Sequence, residues 1–319
     1  MNDSLDAEII NMLQKNGRAP FAEIAKKLKV SPRIVQIHYA KMKKAGLIKT
    51  TVVLIDLSRL NTLLRYSASI CLNATEAHLE EVAEYIRNIR IDNVAIHIVW
   101  ITFGRYNILA GVGSRHLIDI HNLRNLIMQH PSVKTASINI NRYYWTKDRK
   151  TDFANEPSPV AVLDKVDVEL LKILLKDARF PLKQIGKTLG VSVDTVSRRI
   201  NRLEQRGIIV GSTVVLSSKA CGYQGSCAFY IKTKSSESIS NLAEKLMRVP
   251  AAISLFHLIG EYDFNVNVHF KDYGDIVTVV DEIRKIEAVE SFDTVLYLSE
   301  EWEIPSFAYF ANPENLFDI

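Results

Sequence analysis

With 319 residues and 47% hydrophobic content, the chain is long enough to bury at least two cores of ordinary size, and no apolar run approaches the roughly 20 residues that a membrane span needs. The opening MNDSLDAEII has neither a basic n-region nor a small-residue cleavage site, so cytoplasmic residence with no membrane partner is the expectation. Cys71, Cys221 and Cys227 form no CxxC pair and read as reduced thiols, and a formal charge of +4 is too mild to specify a polyanion, so the placement of the basic residues has to decide.

Residues 1–55 read as three short helices. Leu5, Ile9, Met12 and Leu13 form a helical stripe, and Pro20 opens a second helix holding Ile24 and Leu28. A tight turn, KVS, follows; Lys29 takes a left-handed C-cap less readily than glycine. Ser31 suits the N-cap of a third helix, with Pro32 at its first position. Helix, sharp turn and helix make the unit whose second helix enters the DNA major groove. Over residues 56–147 the segments SASICL, ATEAHLEEVAEYIRNI, VAIHIVWIT, NILAGVG, HLIDIHNLRNLIMQ and VKTASINI read as strand, helix, strand, strand, helix, strand, the ferredoxin-like order βαββαβ.

A connector at 148–163 carries two prolines, small residues and charges. Residues 164–216 then repeat the helical unit, with Val166, Leu170, Leu171, Ile173 and Leu174 in the first stripe, Pro181, Ile185 and Leu189 in the second helix, Gly190 at the turn and Ser192 at the next N-cap. Residues 217–303 repeat βαββαβ as GSCAFYIKT, SISNLAEKLMRV, AAISLFHLI, FNVNVHF, YGDIVTVVDEIRKI and SFDTVLYL. Phe264, Val266, Val268 and Phe270 alternate with Asn265, Asn267 and His269, the pattern of a sheet covered by helices on one face. The tail at 304–319 holds Phe307, Tyr309, Phe310 and Phe317, expected to pack on this chain or on a second subunit.

The second half therefore echoes the first. A shift of 161 sets Asp6 on Asp167, Arg18 on Arg179, Pro20 on Pro181, Ile24 on Ile185, Ser31 on Ser192 and Gly46 on Gly207. After one inserted residue TVVL at 51–54 meets TVVL at 213–216, and GRYNI at 104–108 meets GEYDF at 260–264, an offset of 156. Trp145 corresponds to Trp302.

Through LDAEIINMLQKNGRAPFAEIAKKLKVS, VDVELLKILLKDARFPLKQIGKTLGVSVDTVSRRINRLEQRGII and LIGEYDFNVNV, the chain resembles the Lrp/AsnC (feast/famine) transcription regulators over nearly its whole length, in duplicate. The resemblance implies an α+β fold, a tandem duplication of a winged, three-helix helix-turn-helix domain followed by a βαββαβ ferredoxin-like ligand and assembly domain. It also implies double-stranded DNA as partner, an amino acid or similar small effector held near subunit interfaces, and homo-oligomers. An ordinary member has one unit and dimerises; this chain has two and is able to form a pseudo-dimer by itself.

The third helix of the second copy can be tested on its own chemistry. A wheel of about 100° per residue puts Val193, Val196, Ile200 and Leu203 on an inward arc. Asp194, Thr195, Arg198, Asn201, Arg202 and Gln205 face outward, with Ser197, Arg199 and Arg206 at the edges. Arginine pairs bidentately with guanine, and asparagine or glutamine with adenine. The candidate DNA contacts are Ser192, Thr195, Ser197, Arg198, Arg199, Asn201 and Arg202, and Arg179, with its counterpart Arg18, reads either as a phosphate contact or as a local cap or pair. The bland alternative is a solvated basic face. In the first copy, Ile37 stands for Arg198, Ala40 for Asn201 and Ile34 for Thr195, while Arg33, Gln36, Lys41, Lys43 and Lys44 remain polar. Three accounts stay open for that face: contact with thymine methyls, non-specific phosphate binding through Arg33, Lys41, Lys43 and Lys44, or a protein contact.

The GEYDF turn places Gly260, Tyr262 and Asp263 at one loop tip, and Asn107 stands where Asp263 does. What the resemblance implies is a ligand role, with Asp263 meeting an ammonium group; the alternative is a plain glycine turn. Similar units also build siroheme decarboxylases. His97 and the pair Tyr106–Asn107 match their signature, but ILAG follows where WFT belongs. The sequence contains no phosphate-cradling glycine loop, nucleophile elbow or HExxH, and His116 and His121 lie off a common helical face, so no enzyme, metal or cofactor is expected.

Overall fold

A computed structural model describes residues 4–56, 66–146, 150–152, 163–234, 237–298 and 303–304. In chain order they form α1 (Ser4–Lys15), α2 (Phe21–Leu28), α3 (Pro32–Lys44), β1 (Ile48–Ile55), β2 (Tyr66–Ala74), α4 (Leu79–Asn88), β3 (Val94–Gly104), β4 (Ile108–Ser114), α5 (Leu117–Ile127) and β5 (Val133–Trp145). The short β6 (Lys150–Asp152) precedes α6 (Lys165–Lys176), α7 (Leu182–Leu189), α8 (Val193–Gln205), β7 (Ile209–Ser217), β8 (Gly225–Thr233), α9 (Ile239–Met247), β9 (Ala252–Ile259), β10 (Phe264–Phe270), α10 (Tyr273–Arg284), β11 (Val289–Tyr297) and β12 (Glu303–Ile304). Among the described residues no helix is long and apolar enough to cross a membrane. The aromatic tail and most of the connector lie outside the described residues.

The described residues gather into two compact units that cut across the linear order. One draws on 1–61, 157–221 and 303–319, the other on 62–156 and 222–302. Like has joined like: both helical copies lie in the first unit and both βαββαβ copies in the second.

In the helical unit the local sequence signals act as expected. Ser31 and Ser192 cap α3 and α8, their hydroxyls accepting from Ile34 N at 3.3 Å and Thr195 N at 3.1 Å. Gly190 ends α7 in the left-handed conformation at φ 67°, and Lys29 adopts the same conformation at φ 56° after α2, without glycine's freedom. Ile9, Leu13, Ile24 and Val35 are wholly buried in one copy, as are Leu170, Leu174, Ile185, Val196 and Leu203 in the other. Each such side chain withdrawn from water contributes about 1.5–3 kcal/mol.

The two helical copies are then joined by their strands. β1 and β7 pair antiparallel with Thr51 opposite Val214 and Val52 opposite Thr213, so each TVVL meets the other about a local two-fold. Val214 and Leu216 consequently pack into the core of the first copy with Ile9, Ile10 and Leu13. The copies share a core and do not merely touch.

The sheet unit follows the same logic. Within each copy the strands take the ferredoxin-like order, β5-β2-β4-β3 and β11-β8-β10-β9. Two further junctions, β5 with β9 and β11 with β3, close the eight strands into one cycle. The junctions are equivalent: Asn141 pairs with Leu258 at one, and Tyr297 with Thr102, their counterparts, at the other. Closure leaves neither junction strand as an open edge. Helices α4 and α5 cover one copy through Val82, Ile86, Ile120 and Leu123, and α9 and α10 cover the other through Leu242, Leu246, Val279 and Ile283. As expected, helices cover β10 on one face, where Phe264, Val266 and Val268 join the core under α9 and α10. Asn265 and His269, on its polar face, are also buried, because the closed cycle turns that face inward.

Candidate nucleic-acid interface

On α8, Val196, Ile200 and Leu203 point into the helical unit, but Val193 is 43% exposed and does not belong to the inward arc. It is the first helical residue, where the chain has just left the turn. Arg198, Asn201, Arg202 and Gln205 are exposed, and so is Ser192. The hydroxyl of Thr195 lies 2.9 Å from Ser192 Oγ, and Arg198 Nη2 donates to it at 3.3 Å. Arg198, Asn201 and Gln205 therefore form a face that a nucleic acid can approach directly.

Two of the expected DNA contacts have partners of their own. Arg199 Nη1 donates to Asp164 and to Asp167, each at 2.7 Å, and Arg202 Nη2 donates to the other oxygen of Asp167 at 2.5 Å. Asp167 is wholly buried at the start of α6, so the two arginines tie α8 to α6. Arg199 holds the Asp164 carboxyl below the usual carboxylate range. Its guanidinium is engaged within the unit, and the half-exposed Arg202 is the one that retains access outward. Neither link was foreseen, although the alignment of Asp6 with Asp167 carried the signal. In the first copy Asp6 accepts from His38, the counterpart of Arg199, at 2.7 Å.

The first copy presents Arg33, Gln36, Lys41 and Lys44 to solvent together with Ile34 and Ile37, the latter 55% exposed. Its buried face matches that of α8, with Val35 and Met42 inward and Tyr39 partly so. Lys43 pairs with Asp177 of the other copy at 3.8 Å. The two scaffolds are alike and their outward chemistry is not.

Arg179 is placed away from the phosphate role expected of it. Its Nε donates to Gly17 O at 2.7 Å and its Nη2 to Ala19 O at 2.6 Å, while the guanidinium lies 4.6 Å from the centre of the Phe21 ring. Burial pulls its pKa down from the ordinary value, yet it stays charged. It holds the copies together. Ser197 is half-buried and lines a cleft of about 480 Å³ with Asn201, Glu204, Lys15, Asn16 and Arg18.

In the sheet unit the turn residues expected to meet a ligand are engaged within the chain. Asp263 accepts from Thr233 N at 2.7 Å and Thr233 Oγ1 at 2.9 Å, and Tyr262 donates to Asp293 at 2.6 Å. Asn107 accepts from Ala74 N and donates to Ala74 O, both at 2.8 Å, so it closes a strand end much as Asp263 does. A Cβ on Gly260 would collide with Asn139 and lie 2.8 Å from Ile138 O; one on Gly104 would strike the Thr294 carbonyl. Both glycines thus sit where a turn of one copy meets the last strand of the other. Burial pushes the Cys71 thiol, which also contacts Tyr230 and Asn139, and the Cys227 thiol up to about 12, so both stay protonated and unreactive.

Paired helix-turn-helix units with an exposed arginine-bearing second helix, built with paired ferredoxin-like copies, define a DNA-binding regulator. Comparison with known proteins agrees. The AsnC-type helix-turn-helix domain matches residues 3–42 and 163–204, and the Lrp/AsnC ligand binding domain matches 226–306. The HTH-type transcriptional regulator FL11 of Pyrococcus furiosus is 32% identical over 147 residues, covering 45% of this chain and 97% of that protein. Regulatory protein AsnC of Haemophilus influenzae is 27% identical over 135 residues, covering 42% of this chain and 90% of that protein. The chain belongs to the Lrp/AsnC family of transcriptional regulators and carries two of its units in tandem. A solved siroheme decarboxylase, NirDL, in complex with an iron-uroporphyrin III analogue, superposes with a TM-score of 0.65 at 15% identity, over 93% of this chain and 92% of that one. At that identity the likeness is one of fold.

Proposed function

We propose that the chain is a sequence-specific DNA-binding regulator in which α8 reads bases and α3 anchors on phosphates, and in which a small effector, an amino acid or a molecule like it, adjusts DNA affinity. The observation that carries this reading is the unequal outward chemistry of two equivalent helices. Arg198, Asn201 and Gln205 offer bidentate hydrogen bonds to base edges, whereas the same three positions of α3 hold Ile37, Ala40 and Lys44, which offer none, and Arg33 and Lys41 add charge beside them. Because β1 and β7 pair about a local two-fold, one chain supplies both DNA-facing helices, one to read and one to anchor, where a dimer of single-unit regulators supplies two alike. Homo-oligomers would then add further pairs along the DNA.

Gel shift on genomic fragments tests it, with Arg198→Ala set against Ile37→Ala. Arg198→Ala is expected to lose specific binding, while Ile37→Ala keeps it. Equal binding by parent and Arg198→Ala at every salt concentration would sink the base-reading role.

A second reading, tetrapyrrole chemistry, is favoured by the fold likeness over both copies. Its check is an absorbance titration with an iron tetrapyrrole. A saturable shift of the main visible band would support it, and an unchanged spectrum would leave the regulator reading alone.

A further inference from the structure

The two contacts between the end of one helical copy's first helix and the other copy's third helix are equivalent by sequence and unlike in filling. In one, the Arg179 guanidinium stands over Phe21 and 5.4 Å from the centre of the Tyr39 ring, and the two rings meet at 5.2 Å. In the other, Arg18 takes the place of Arg179, Leu182 that of Phe21 and Ile200 that of Tyr39. Two aromatic rings have become branched aliphatic chains. The space they would fill is the cleft of about 480 Å³, within the usual range of roughly 300–1,000 Å³ for small-molecule sites.

The lining has changed with the volume. Gln36, Ala40 and Lys43 of the filled contact correspond to Ser197, Asn201 and Glu204 of the open one, so an alanine gives way to an amide and a cation to a carboxylate. Lys15 and Arg18 supply positive charge from the first copy, and Glu204 faces Arg18 across 3.7 Å, longer than a tight charged hydrogen bond. Cationic and anionic groups thus line one polar cleft. A ligand with a carboxylate and an ammonium on adjacent atoms satisfies both at once.

We propose that this cleft binds a small amino-carboxylate of α-amino-acid size, with its carboxylate on Arg18 and Lys15, its ammonium on Glu204, and a polar group of its side chain on Asn201 or Ser197. The inference rests on the effector reading above and gives the effector a place. Ser197, Asn201 and Glu204 all belong to α8, so a ligand held there bears directly on the helix assigned to base reading. Binding of ligand and of DNA are then coupled in both directions.

The test uses the full chain and the standard L-amino acids, added singly at millimolar concentration, with melting temperature as the first readout and calorimetric titration of any that raise it. At least one is expected to stabilise the parent. Leu182→Phe with Ile200→Tyr, which rebuilds the filled contact already present elsewhere in the unit, should abolish that shift. Glu204→Gln, an exposed change that leaves the fold intact, should weaken binding by at least about tenfold, the scale of one charge-assisted hydrogen bond, and it decides the matter if the double variant does not fold. Unchanged affinity in both variants overturns the cleft site while leaving an effector elsewhere in the chain. Absence of any shift in the parent overturns the cleft site and the effector reading together, without touching DNA binding.

Discussion

Arg105 and Glu261 occupy the same position in the two βαββαβ copies, and they meet: Arg105 Nη2 lies 2.8 Å from Glu261 Oε1. Tyr106 adds a second hydrogen bond to the same carboxylate at 2.8 Å. Burial presses the Glu261 pKa upward, but these two donors outweigh it and hold the carboxyl below its usual range. In a symmetric dimer of one copy, a residue at this position next to the two-fold would face itself, and like charges would oppose each other. The unlike pair favours joining of copy one to copy two over joining of either to its own kind.

Reversing one charge, as Arg105→Glu or Glu261→Arg, should therefore cost about 1 kcal/mol, a modest figure because both side chains are partly exposed. The exchanged double variant should recover most of it. Urea denaturation of the four proteins as a double-mutant cycle measures the coupling, and strict additivity would show that the pair contributes nothing.

Asp167 is the buried acid between Arg199 and Arg202. Asp167→Ala removes two short charge-assisted hydrogen bonds, those from Arg199 and Arg202, and leaves the bond from its own backbone N–H to Asp164 in place. A loss of roughly 2–4 kcal/mol is expected. Arg202 then becomes available to phosphate, while Arg199 stays paired with Asp164, so non-specific DNA binding should fall more steeply with salt than in the parent, read as the slope of log affinity against log salt.

Lys29 is the non-glycine member of an equivalent pair of helix caps, at φ 56° where Gly190 has φ 67°. Lys29→Gly should raise stability by about 1 kcal/mol, since the left-handed conformation costs a Cβ-bearing residue that much. Equilibrium denaturation decides it. A destabilised variant would mean that the lysine side chain contributes something the backbone argument omits.

Acid should destabilise the sheet unit through His97 and His269. Burial pulls both down to about 4, and among the described residues neither ring has a hydrogen-bond partner. The unfolded chain binds these protons near pH 6.5 and the folded chain resists them until about pH 4. Their contribution is thus fully present above pH 6.5 and is lost as pH falls towards 4. For the well-buried His269 the full loss is about 3 kcal/mol. Replacing it with leucine should flatten the fall in denaturation midpoint between neutral pH and pH 4.5; an unchanged slope would place the acid sensitivity elsewhere.

Much of the fold was legible because it is written in local periods. Helical stripes, N-cap serines and the alternating strands of GSCAFYIKT and FNVNVHF specify their elements from neighbours a few residues away, and the repeated frame states that each element occurs twice. The outward face of α8 was legible for the same reason, as side chains at fixed helical spacing. What escaped the reading depends on distant chain. Val193 looked inward on the wheel but stands at the helix start; Arg179 read as a phosphate contact or a local pair, but it finds carbonyls some 160 positions away at Gly17 and Ala19. Asn107 and Asp263 looked like ligand groups because nothing in their own turns reveals the strand ends that they close.

The sequence by itself determined the elements, their duplication and the difference between the two reading helices, because capping, periodicity and side-chain chemistry act within one turn or one strand. Only the tertiary structure decided that copy joins copy within the chain, that the polar face of β10 turns inward, and that one of two equivalent contacts between the helical copies is open. Those outcomes arise where strand edges and ring volumes separated by about half the chain come together, and pairing at that distance leaves no local pattern to read.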